Sequence, residues 1–394
     1  MPRHLPLCTL LLLSLAQAQA GQGSPPLLQG GLLAGGGQPA VRVWPAEQAG
    51  TTLNFGDFQS KAEWTFPQGK GGKLPAVLLI HGSSPADMNF TVMGQDGQVK
   101  SAIFKDLADT FAAQGIATLR YNKHYVSGPG QVDYPSFYTK ADLNLFLQDA
   151  EVALEALKKN PRVDPKKVFV YGWSEGSTVA AALVAKHPEV AGLIVQGPVV
   201  LPWRPLFEAQ FSEVQLPYLR SVVGGALTNA DFVRLVTGKG GMVAKSAALY
   251  FTDPAQAQQG KYVINPQLDT DGDGQLEVDR EVVPGFQTVL NDALTPQGFF
   301  SIYAPGRALP SVTAQVPNLK VPVLVLQGAN DANTPTKYLG TLEQAFKAAG
   351  REATVKVYPG LGHSLGPAAS LIDDDFRPIA AGPMRDAASW IKSH

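Results

Sequence analysis

The segment 168–187 constrains the fold of this chain more than any other part of it. A strand-like run, Val168–Tyr171, leads into Gly-Trp-Ser-Glu-Gly at positions 172–176, and a helix-like run, Ser177–His187, follows. This pattern predicts a sharp strand–turn–helix junction with Ser174 at its tip. The glycines permit the strained backbone of such a turn and let the helix pack closely behind it. Ser174 is therefore the candidate nucleophile, since a turn of this kind exposes a hydroxyl to a base and an oxyanion site.

A second Gly-x-Ser-x-Gly sequence occurs at positions 362–366, with Ser364 at its centre. Pro359 and Gly360 separate it from the preceding strand-like run, and Pro367 follows it at once. The strand–turn–helix context is missing there. We therefore predict that Ser174, and not Ser364, is the nucleophile.

A serine on such a turn needs a histidine base and an acid that orients it, in the chain order serine, acid, histidine. His363 lies on a loop after the strand-like run 353–358, and Asp331 follows the strand-like run 323–326. We predict that Asp331 accepts the imidazole N–H and that the other nitrogen of His363 takes the Ser174 proton.

The other histidines and acids fit this order less well. His81 and His124 precede the acid, and His187 stands at a helix end before Pro188, where capping is expected. Three aspartates follow the candidate base at positions 373–375, and we expect them to form a solvated loop.

The oxyanion of a tetrahedral intermediate needs two backbone N–H donors. The N–H of Glu175, directly after the nucleophile, is the first candidate because the turn aims it at the site. The second should come from His-Gly-Ser-Ser at positions 81–84, where Gly82 allows close approach of the backbone. We favour the N–H of Ser83.

Strand-like and helix-like runs alternate over residues 51–198 and again over residues 318–394. Repeated strand–helix units predict an α/β fold, with a mostly parallel sheet and helices on both faces. Residues 199–317 lose the alternation and are rich in aromatic residues and prolines. We expect one core interrupted by one insertion, which closes over Ser174 as a lid; an independent domain is the alternative.

Residues 1–20 have the pattern of a secretory signal peptide, with a weakly basic start, a short apolar stretch and small residues before the cleavage point. Residues 21–50, rich in glycine, glutamine and proline, are predicted to form a flexible leader. The single cysteine, Cys8, lies in the signal, so the mature protein would have no disulfide. We expect a secreted or periplasmic protein.

The formal net charge of −1 leaves no basic footprint, so nucleic acid is not an expected partner. No stretch after the signal is long and apolar enough to anchor the chain in a membrane. A small ester or peptide is the expected substrate.

Four segments in the right order resemble the α/β-hydrolase superfamily: Leu79–Ser84, Gly172–Gly176, Gly328–Asp331 and Gly362–His363. They are most similar to secreted bacterial serine esterases and aminopeptidase-like members, which carry a similar His-Gly-Ser-Gly stretch and a Gly-His-Ser-Glu-Gly turn. The resemblance implies an α/β-hydrolase fold.

Three features depart from that family pattern. Trp173 replaces a histidine, Ser177 stands where a third glycine is common, and residues 120–125 replace the usual Asp-x-Arg-Gly-x-Gly-x-Ser loop. None of them touches a candidate catalytic group, so they bear on the substrate more than on the mechanism.

A second pattern lies inside the insertion, where residues 269–277 read Asp-Thr-Asp-Gly-Asp-Gly-Gln-Leu-Glu. It resembles the calcium loop of EF-hand and dockerin-like proteins. Arg280 occupies the position of the final bidentate acid, and Glu281 comes one residue later. A solvated acidic turn is the alternative. We expect a structural calcium that braces the lid, and no cofactor for catalysis; the candidate ligands are Asp269, Asp271, Asp273, Gln275 and Glu277.

The sequence thus predicts a secreted hydrolase that cleaves carboxylic esters through an acyl-enzyme. A serine peptidase or aminopeptidase acting on short peptides is the first alternative, and an acyltransferase would use the same triad. From another class, a non-catalytic calcium-dependent binding protein would keep the fold without the activity.

Overall fold

The computed structural model describes residues 43–93, 97–257 and 259–394. The predicted signal peptide, residues 1–20, and residues 21–42 of the predicted leader lie outside the described residues. The described part contains a central eight-stranded sheet. Its strands are β1 (Ala46–Asn54), β2 (Gln59–Pro67), β3 (Leu74–Ile80), β4 (Ala117–Tyr121), β5 (Val163–Trp173), β6 (Gly192–Gln196), β7 (Val323–Gly328) and β8 (Thr354–Tyr358).

The strands follow the spatial order β1-β2-β4-β3-β5-β6-β7-β8. β1 and β2 form an antiparallel hairpin, and β2 pairs antiparallel with β4. All remaining neighbours in the sheet pair in parallel. The prediction of a mostly parallel sheet is therefore confirmed, and the carboxyl ends of its parallel strands meet at one edge, where ligands bind in open α/β sheets.

The helices are distributed between the core and the insertion. In chain order they are α1 (Ile103–Ala113), α2 (Tyr134–Lys140), α3 (Leu143–Lys159), α4 (Glu175–Lys186), α5 (Trp203–Gln210), α6 (Leu216–Val223), α7 (Asp231–Thr237), α8 (Met242–Lys245), α9 (Ala247–Phe251), α10 (Pro254–Ala257), α11 (Val283–Ala293), α12 (Val312–Gln315), α13 (Leu339–Ala348) and α14 (Ala381–Ser393).

Helices cover both faces of the sheet, as predicted. Successive side chains of a strand point to opposite faces. On β3, Leu74, Ala76, Leu78 and Ile80 belong to one buried cluster, which also contains residues of α3, α4 and α13. Val77 and Leu79 belong to the other cluster, with residues of α1 and α14. Both faces of β3 are thus buried, which explains its unbroken apolar sequence.

Between β6 and β7 the chain leaves the sheet and forms a mainly helical segment, which we call the insertion. It contains α5 to α12, two π-helical turns at Phe211–Gln215 and Val278–Val282, and a two-stranded ladder between Ala226–Leu227 and Leu276–Glu277. Its aromatic residues form stacked pairs, such as Phe211 on Phe286 with ring centroids 3.8 Å apart. The aromatic content of this segment therefore supplies a core for the insertion itself.

The predicted boundary of the leader at Gly50 is wrong. β1 begins at Ala46 and pairs with β2 over its whole length, from Ala46 opposite Pro67 to Asn54 opposite Gln59. The strand lies at the edge of the sheet, and its alternate residues are exposed. Because alternate residues of this edge strand face solvent, β1 accommodates polar side chains. The sequence around it is nevertheless rich in glycine.

Among the described residues, no helix combines the length and the apolar character needed to cross a lipid bilayer.

Candidate active site

Ser174 lies at the junction of β5 and α4, on the predicted turn. Its backbone adopts φ 55° and ψ −125°, a left-handed φ that only a well-supported turn tolerates. A Cβ on Gly172 would lie 2.4 Å from the Gly176 carbonyl oxygen, and one on Gly176 would lie 2.2 Å from that of His81. Both glycines are thus required by close packing around Ser174.

Asp331 and His363 are brought together at the carboxyl ends of β7 and β8. His363 Nδ1 lies 2.8 Å from Asp331 Oδ2 and 2.9 Å from Oδ1, and both side chains are buried. The carboxylate also accepts hydrogen bonds from the backbone N–H groups of Asn333 and Thr334 and from the Gln327 amide. These donors hold the carboxylate in one orientation, so it fixes the imidazole ring.

The second ring nitrogen of His363 is not engaged by the residues that hold the first. His363 Nε2 is buried and has no hydrogen-bond partner among the described residues. Ser174 and His363 line the same cavity. The His363 carbonyl accepts hydrogen bonds from Trp173 Nε1 and Gln196 Nε2, each at 3.0 Å. Trp173 thus supports the loop of the candidate base.

Gly197 makes room for the His363–Asp331 pair. It follows β6 with φ +49°, and a Cβ there would lie 2.7 Å from His363 Nδ1 and 3.0 Å from Asp331 Oδ2. A glycine is needed at this position for both its backbone conformation and its lack of a side chain.

Ser364 is engaged in the structure of its own loop. Its hydroxyl donates to the Arg377 carbonyl at 2.7 Å and accepts from the Gly366 N–H at 3.2 Å. No helix follows it directly: the next helix in the chain is α14, which begins at Ala381. Its surroundings therefore favour the structural role expected from the sequence.

His81 and His124 are placed where they do not serve Ser174. Burial and the nearby Lys123 ammonium lower the pKa of His81 to about 3, so this imidazole is neutral. His124 uses both ring nitrogens, one toward Asp149 and one toward Asp57. Although burial opposes it, these carboxylates raise the pKa of His124.

The prediction that residues 373–375 form a solvated run is wrong for Asp374. This residue is buried, and its Oδ2 accepts the N–H groups of Ala332 at 3.0 Å and His363 at 2.9 Å. Burial and the neighbouring Asp331 carboxylate raise the pKa of Asp374 to about 6. The backbone donors of the Asp331 and His363 loops explain why a carboxylate is buried there.

The two predicted oxyanion donors belong to residues that line the cavity beside Ser174. Ser83 and Glu175 both contribute to its wall, and a Cβ on Gly82 would lie 3.1 Å from Ser174 Cβ. The Glu175 side chain is buried in contact with Lys123 and Tyr303. Glu175 thus belongs to the wall of the cavity, while its carboxylate binds Lys123 and Tyr303.

The cavity has a volume of about 460 Å³ and a largely apolar wall. The core contributes Phe90, Trp173 and Phe376, and the insertion contributes Met242, Phe299, Phe300, Ile302 and Tyr303. Among the described residues of the wall, Glu175 is the only acid. Both of its oxygens already accept hydrogen bonds, at 2.6 Å each. The space beside Ser174 therefore suits an uncharged, apolar group.

The predicted calcium ligands lie on an exposed loop of the insertion. Ligand oxygens of Asp269, Asp271 and Asp273 lie within 4.8 Å of one another. Asp269 accepts the N–H groups of Gly272 and Gly274, as a turn-forming aspartate does.

The side chains of the other two predicted ligands, Gln275 and Glu277, make different contacts. Gln275 directs its amide nitrogen at Asp273 Oδ2, 3.2 Å away, instead of offering its oxygen. Glu277 is grouped with Asp271 and Glu281, within 4.8 Å of one another. Glu281 accepts the N–H groups of Thr270 and Glu277 and so closes the loop. In the sequence, Glu281 stands one residue beyond the position of the final acid of a calcium loop. It was therefore not among the predicted ligands.

Lys123 and Tyr303 are the residues near the site that the sequence pattern did not identify. Lys123 pairs with Glu175 at 2.6 Å, and Tyr303 donates to the other Glu175 oxygen at 2.6 Å. The available signal for Lys123 was its place on the loop after β4, at the carboxyl edge of the sheet. Tyr303 belongs to the insertion, where sequence periodicity carries no positional information.

Comparison with known families matches both halves of the chain. Residues 97–239 match a model described as serine aminopeptidase, S33, and residues 297–375 match the dienelactone hydrolase family. These segments contain Ser174, Asp331 and His363, which follow β5, β7 and β8. The chain belongs to the α/β-hydrolase superfamily.

Individual relatives within the superfamily match part of the chain. It is similar to esterase EstD of Thermotoga maritima, with 36% identity over 171 residues, which are 42% of this chain and 35% of that protein. An uncharacterised protein of Mycobacterium tuberculosis is 26% identical over 212 residues, which are 52% of this chain and 65% of that protein. The chain thus spans less than two thirds of the length of either relative. A dienelactone hydrolase structure from Anabaena variabilis covers 89% of this chain and 98% of its own, with 14% identity and a TM-score of 0.46.

Proposed function

We propose that this chain is a serine hydrolase that cleaves carboxylic esters through an acyl-enzyme. The observation that carries the proposal is the placement of Ser174 and His363 at one cavity, with His363 Nδ1 2.8 Å from the buried Asp331 and Nε2 left for the serine proton. This order of groups is that of a nucleophile, a base and the acid that orients the base.

In the proposed reaction, Ser174 Oγ attacks the ester carbonyl as His363 Nε2 takes its proton. The N–H groups of Glu175 and Ser83 stabilise the oxyanion of the tetrahedral intermediate. His363 then gives the proton to the departing alcohol, which leaves an ester of Ser174 with the acyl group. Water attacks this acyl-enzyme with the same base, and the carboxylic acid is released.

The wall of the cavity supports an ester over an amino-terminal peptide. An aminopeptidase binds the α-ammonium group of its substrate, and an ammonium removed from water needs a carboxylate or comparable acceptors. The only acid among the described wall residues, Glu175, is neutralised by Lys123. Apolar residues of both the core and the insertion form most of the rest. An uncharged acyl group therefore fits better than a free amino terminus.

Fluorophosphonate labelling followed by peptide mapping tests the nucleophile. We expect the label on Ser174, and the variant Ser174→Ala should lose at least about 10⁴-fold in kcat while folding normally. Ser364→Ala is the matched control, because it removes the serine of the other Gly-x-Ser-x-Gly sequence; it should keep the labelling. A label on Ser364 would overturn the assignment.

A panel of p-nitrophenyl esters and aminoacyl-anilides tests the substrate class. We expect turnover of esters with apolar acyl groups and little turnover of anilides with a free amino group. Preference for the anilides would favour the peptidase, which the match to the serine aminopeptidase model supports. Absence of labelling and of turnover would favour a non-catalytic binding protein.

We also propose that residues 199–317 act as a lid, that the 269–281 loop holds a structural calcium, and that the protein is secreted or periplasmic. The lid is supported by the place of Phe299, Phe300 and Tyr303 in the cavity wall. Export rests on the sequence of residues 1–20, and cell fractionation with sequencing of the mature amino terminus tests it.

A further inference from the structure

A buried lysine lies behind the two oxyanion donors of the proposed mechanism. Lys123 is 4% exposed. Its Nζ donates to the carbonyl oxygens of Gly82 at 2.7 Å and Ser84 at 3.1 Å, and to Glu175 Oε1 at 2.6 Å. An ammonium has three N–H donors, and these three acceptors use all of them. Lys123 is thus bonded to both segments that carry an oxyanion donor.

The peptide between Gly82 and Ser83 connects Lys123 to the first donor. The Gly82 carbonyl and the Ser83 N–H belong to one planar trans peptide, so they point in opposite directions. By holding the carbonyl, Lys123 fixes the plane that directs the N–H away from itself. The same hydrogen bond polarises the peptide and strengthens the N–H as a donor. Ser83 lines the large cavity, whereas Lys123 lines a small cavity behind this loop.

The Glu175 side chain connects the second donor to the same lysine. It is 1% exposed, with Oε1 on Lys123 and Oε2 accepting the Tyr303 hydroxyl at 2.6 Å. The Tyr303 oxygen also lies 2.8 Å from Ser83 Oγ. Tyr303 belongs to the insertion, and its ring stacks on Trp203 with centroids 4.2 Å apart. One network therefore joins both donors to the insertion.

We propose that Lys123, Glu175 and Tyr303 form the positioning network of the oxyanion hole, which couples the orientation of its two N–H donors to the seating of the insertion. The inference rests on the proposed serine hydrolase function. In this role Lys123 acts through the Gly82–Ser83 peptide and the Glu175 side chain and does not touch substrate. Its contribution should appear mainly in the transition state, when the carbonyl oxygen acquires charge, and little in substrate binding.

The primary test is the double variant Lys123→Met with Glu175→Gln, which removes both buried charges and keeps the side-chain lengths. Lys123→Met alone would leave the Glu175 carboxylate buried without its cation. We expect kcat for an active p-nitrophenyl ester to fall by about 100-fold, with KM changed less than about 3-fold. Affinity for a trifluoromethyl ketone, which forms an oxyanion on the serine, should fall by the same factor as kcat/KM. Circular dichroism and the melting temperature establish that the variant is folded.

Tyr303→Phe keeps both charges and removes one hydroxyl, so it tests the network even if the double variant fails to fold. We expect kcat to fall by about 10-fold, which corresponds to the loss of one hydrogen bond in the transition state. Tyr218→Phe is the matched control: it removes a buried hydroxyl of the insertion that donates to the Leu235 carbonyl at 2.6 Å, away from the cavity. It should leave kcat unchanged.

The possible outcomes separate this inference from the proposed function. Wild-type kcat and trifluoromethyl ketone affinity in Tyr303→Phe, or in the folded double variant, would overturn the positioning role. Parallel losses in Tyr303→Phe and in Tyr218→Phe would also overturn it, since they would indicate a general loosening of the insertion. If the wild-type protein neither reacts with fluorophosphonate nor turns over esters, the proposed function itself is contradicted.

Discussion

The substitution Gly197→Ala places one methyl group against the pair that holds the base. The added Cβ would lie 2.7 Å from His363 Nδ1, 2.8 Å from Cε1 and 3.0 Å from Asp331 Oδ2. Ordinary contact between such atoms is about 3.5 Å, so the imidazole or the carboxylate must move by about 0.8 Å. Because both side chains are buried and hydrogen-bonded, neither can move without weakening the Asp331–His363 bond.

The expected loss of activity follows from that displacement. A misplacement of about 1 Å in a catalytic group costs about 100-fold in rate, or about 2.7 kcal/mol in activation free energy. The alanine must also adopt φ +49°, which costs about 1–2 kcal/mol in folding stability. We therefore expect kcat for p-nitrophenyl ester hydrolysis to fall about 100-fold, and the rate of fluorophosphonate labelling of Ser174 to fall in parallel.

Gly350→Ala separates the backbone cost from the contact with His363. Gly350 has φ +65°, and nothing lies within 4 Å of a Cβ built on it. The control should lose a similar amount of stability and keep wild-type kcat. Thermal melting and steady-state kinetics on both variants give the comparison. If Gly197→Ala keeps kcat within about 3-fold of wild type, then His363, as oriented by Asp331, is not the base of the reaction.

Three further predictions concern single carboxylates and the acidic loop. Asp331→Asn should lower kcat by about 10⁴-fold in ester turnover, because the amide favours the wrong imidazole tautomer; full activity would move the acid elsewhere. Since the folded pKa of Asp374 is raised to about 6, its stabilising contribution is present below about pH 4 and lost as the pH rises through 6. Asp374→Asn should remove up to about 3 kcal/mol of that dependence in denaturant titrations between pH 4 and 7; an unchanged pH profile would contradict the assignment. Calcium should raise the melting temperature and EDTA lower it, with no further effect in Asp271→Ala plus Asp273→Ala; calorimetry without binding at millimolar calcium would make the loop an acidic turn.

The buried parallel strands could be predicted from the sequence because burial on both faces leaves continuous apolar runs. The strand-like runs 168–171 and 323–326 are present as parts of β5 and β7. The hairpin of β1 and β2 was not predicted. Alternate residues of β1 are exposed, and its Glu-Gln-Ala-Gly-Thr-Thr sequence has no apolar face to distinguish it from a polar leader.

The candidate triad could be predicted because its chemistry restricts both residue types and chain order. Its supporting residues could not. A lysine and a glutamate 52 positions apart are ordinary surface residues in sequence, and only the fold brings Lys123 to Glu175. Asp374 stood in a run of three aspartates that is typical of a solvated loop. A Cβ on Gly362 would lie 2.0 Å from Asp374 Oδ1, so that glycine makes the space in which the carboxylate is buried.

The core and the insertion contribute different groups to the candidate site. The candidate nucleophile, acid and base lie at the ends of β5, β7 and β8, and residues of the core such as Gln327 and Asp374 hold the acid and the base. The insertion contributes aromatic wall residues and, through Tyr303, one hydrogen bond to Glu175. A substitution at an aromatic wall residue such as Phe299 or Phe300 can therefore alter the shape of the cavity without removing a hydrogen bond of the Asp331–His363 pair. Tyr303 differs from these residues because it connects the wall to the proposed oxyanion donors, and substitutions there should change kcat as well as substrate preference.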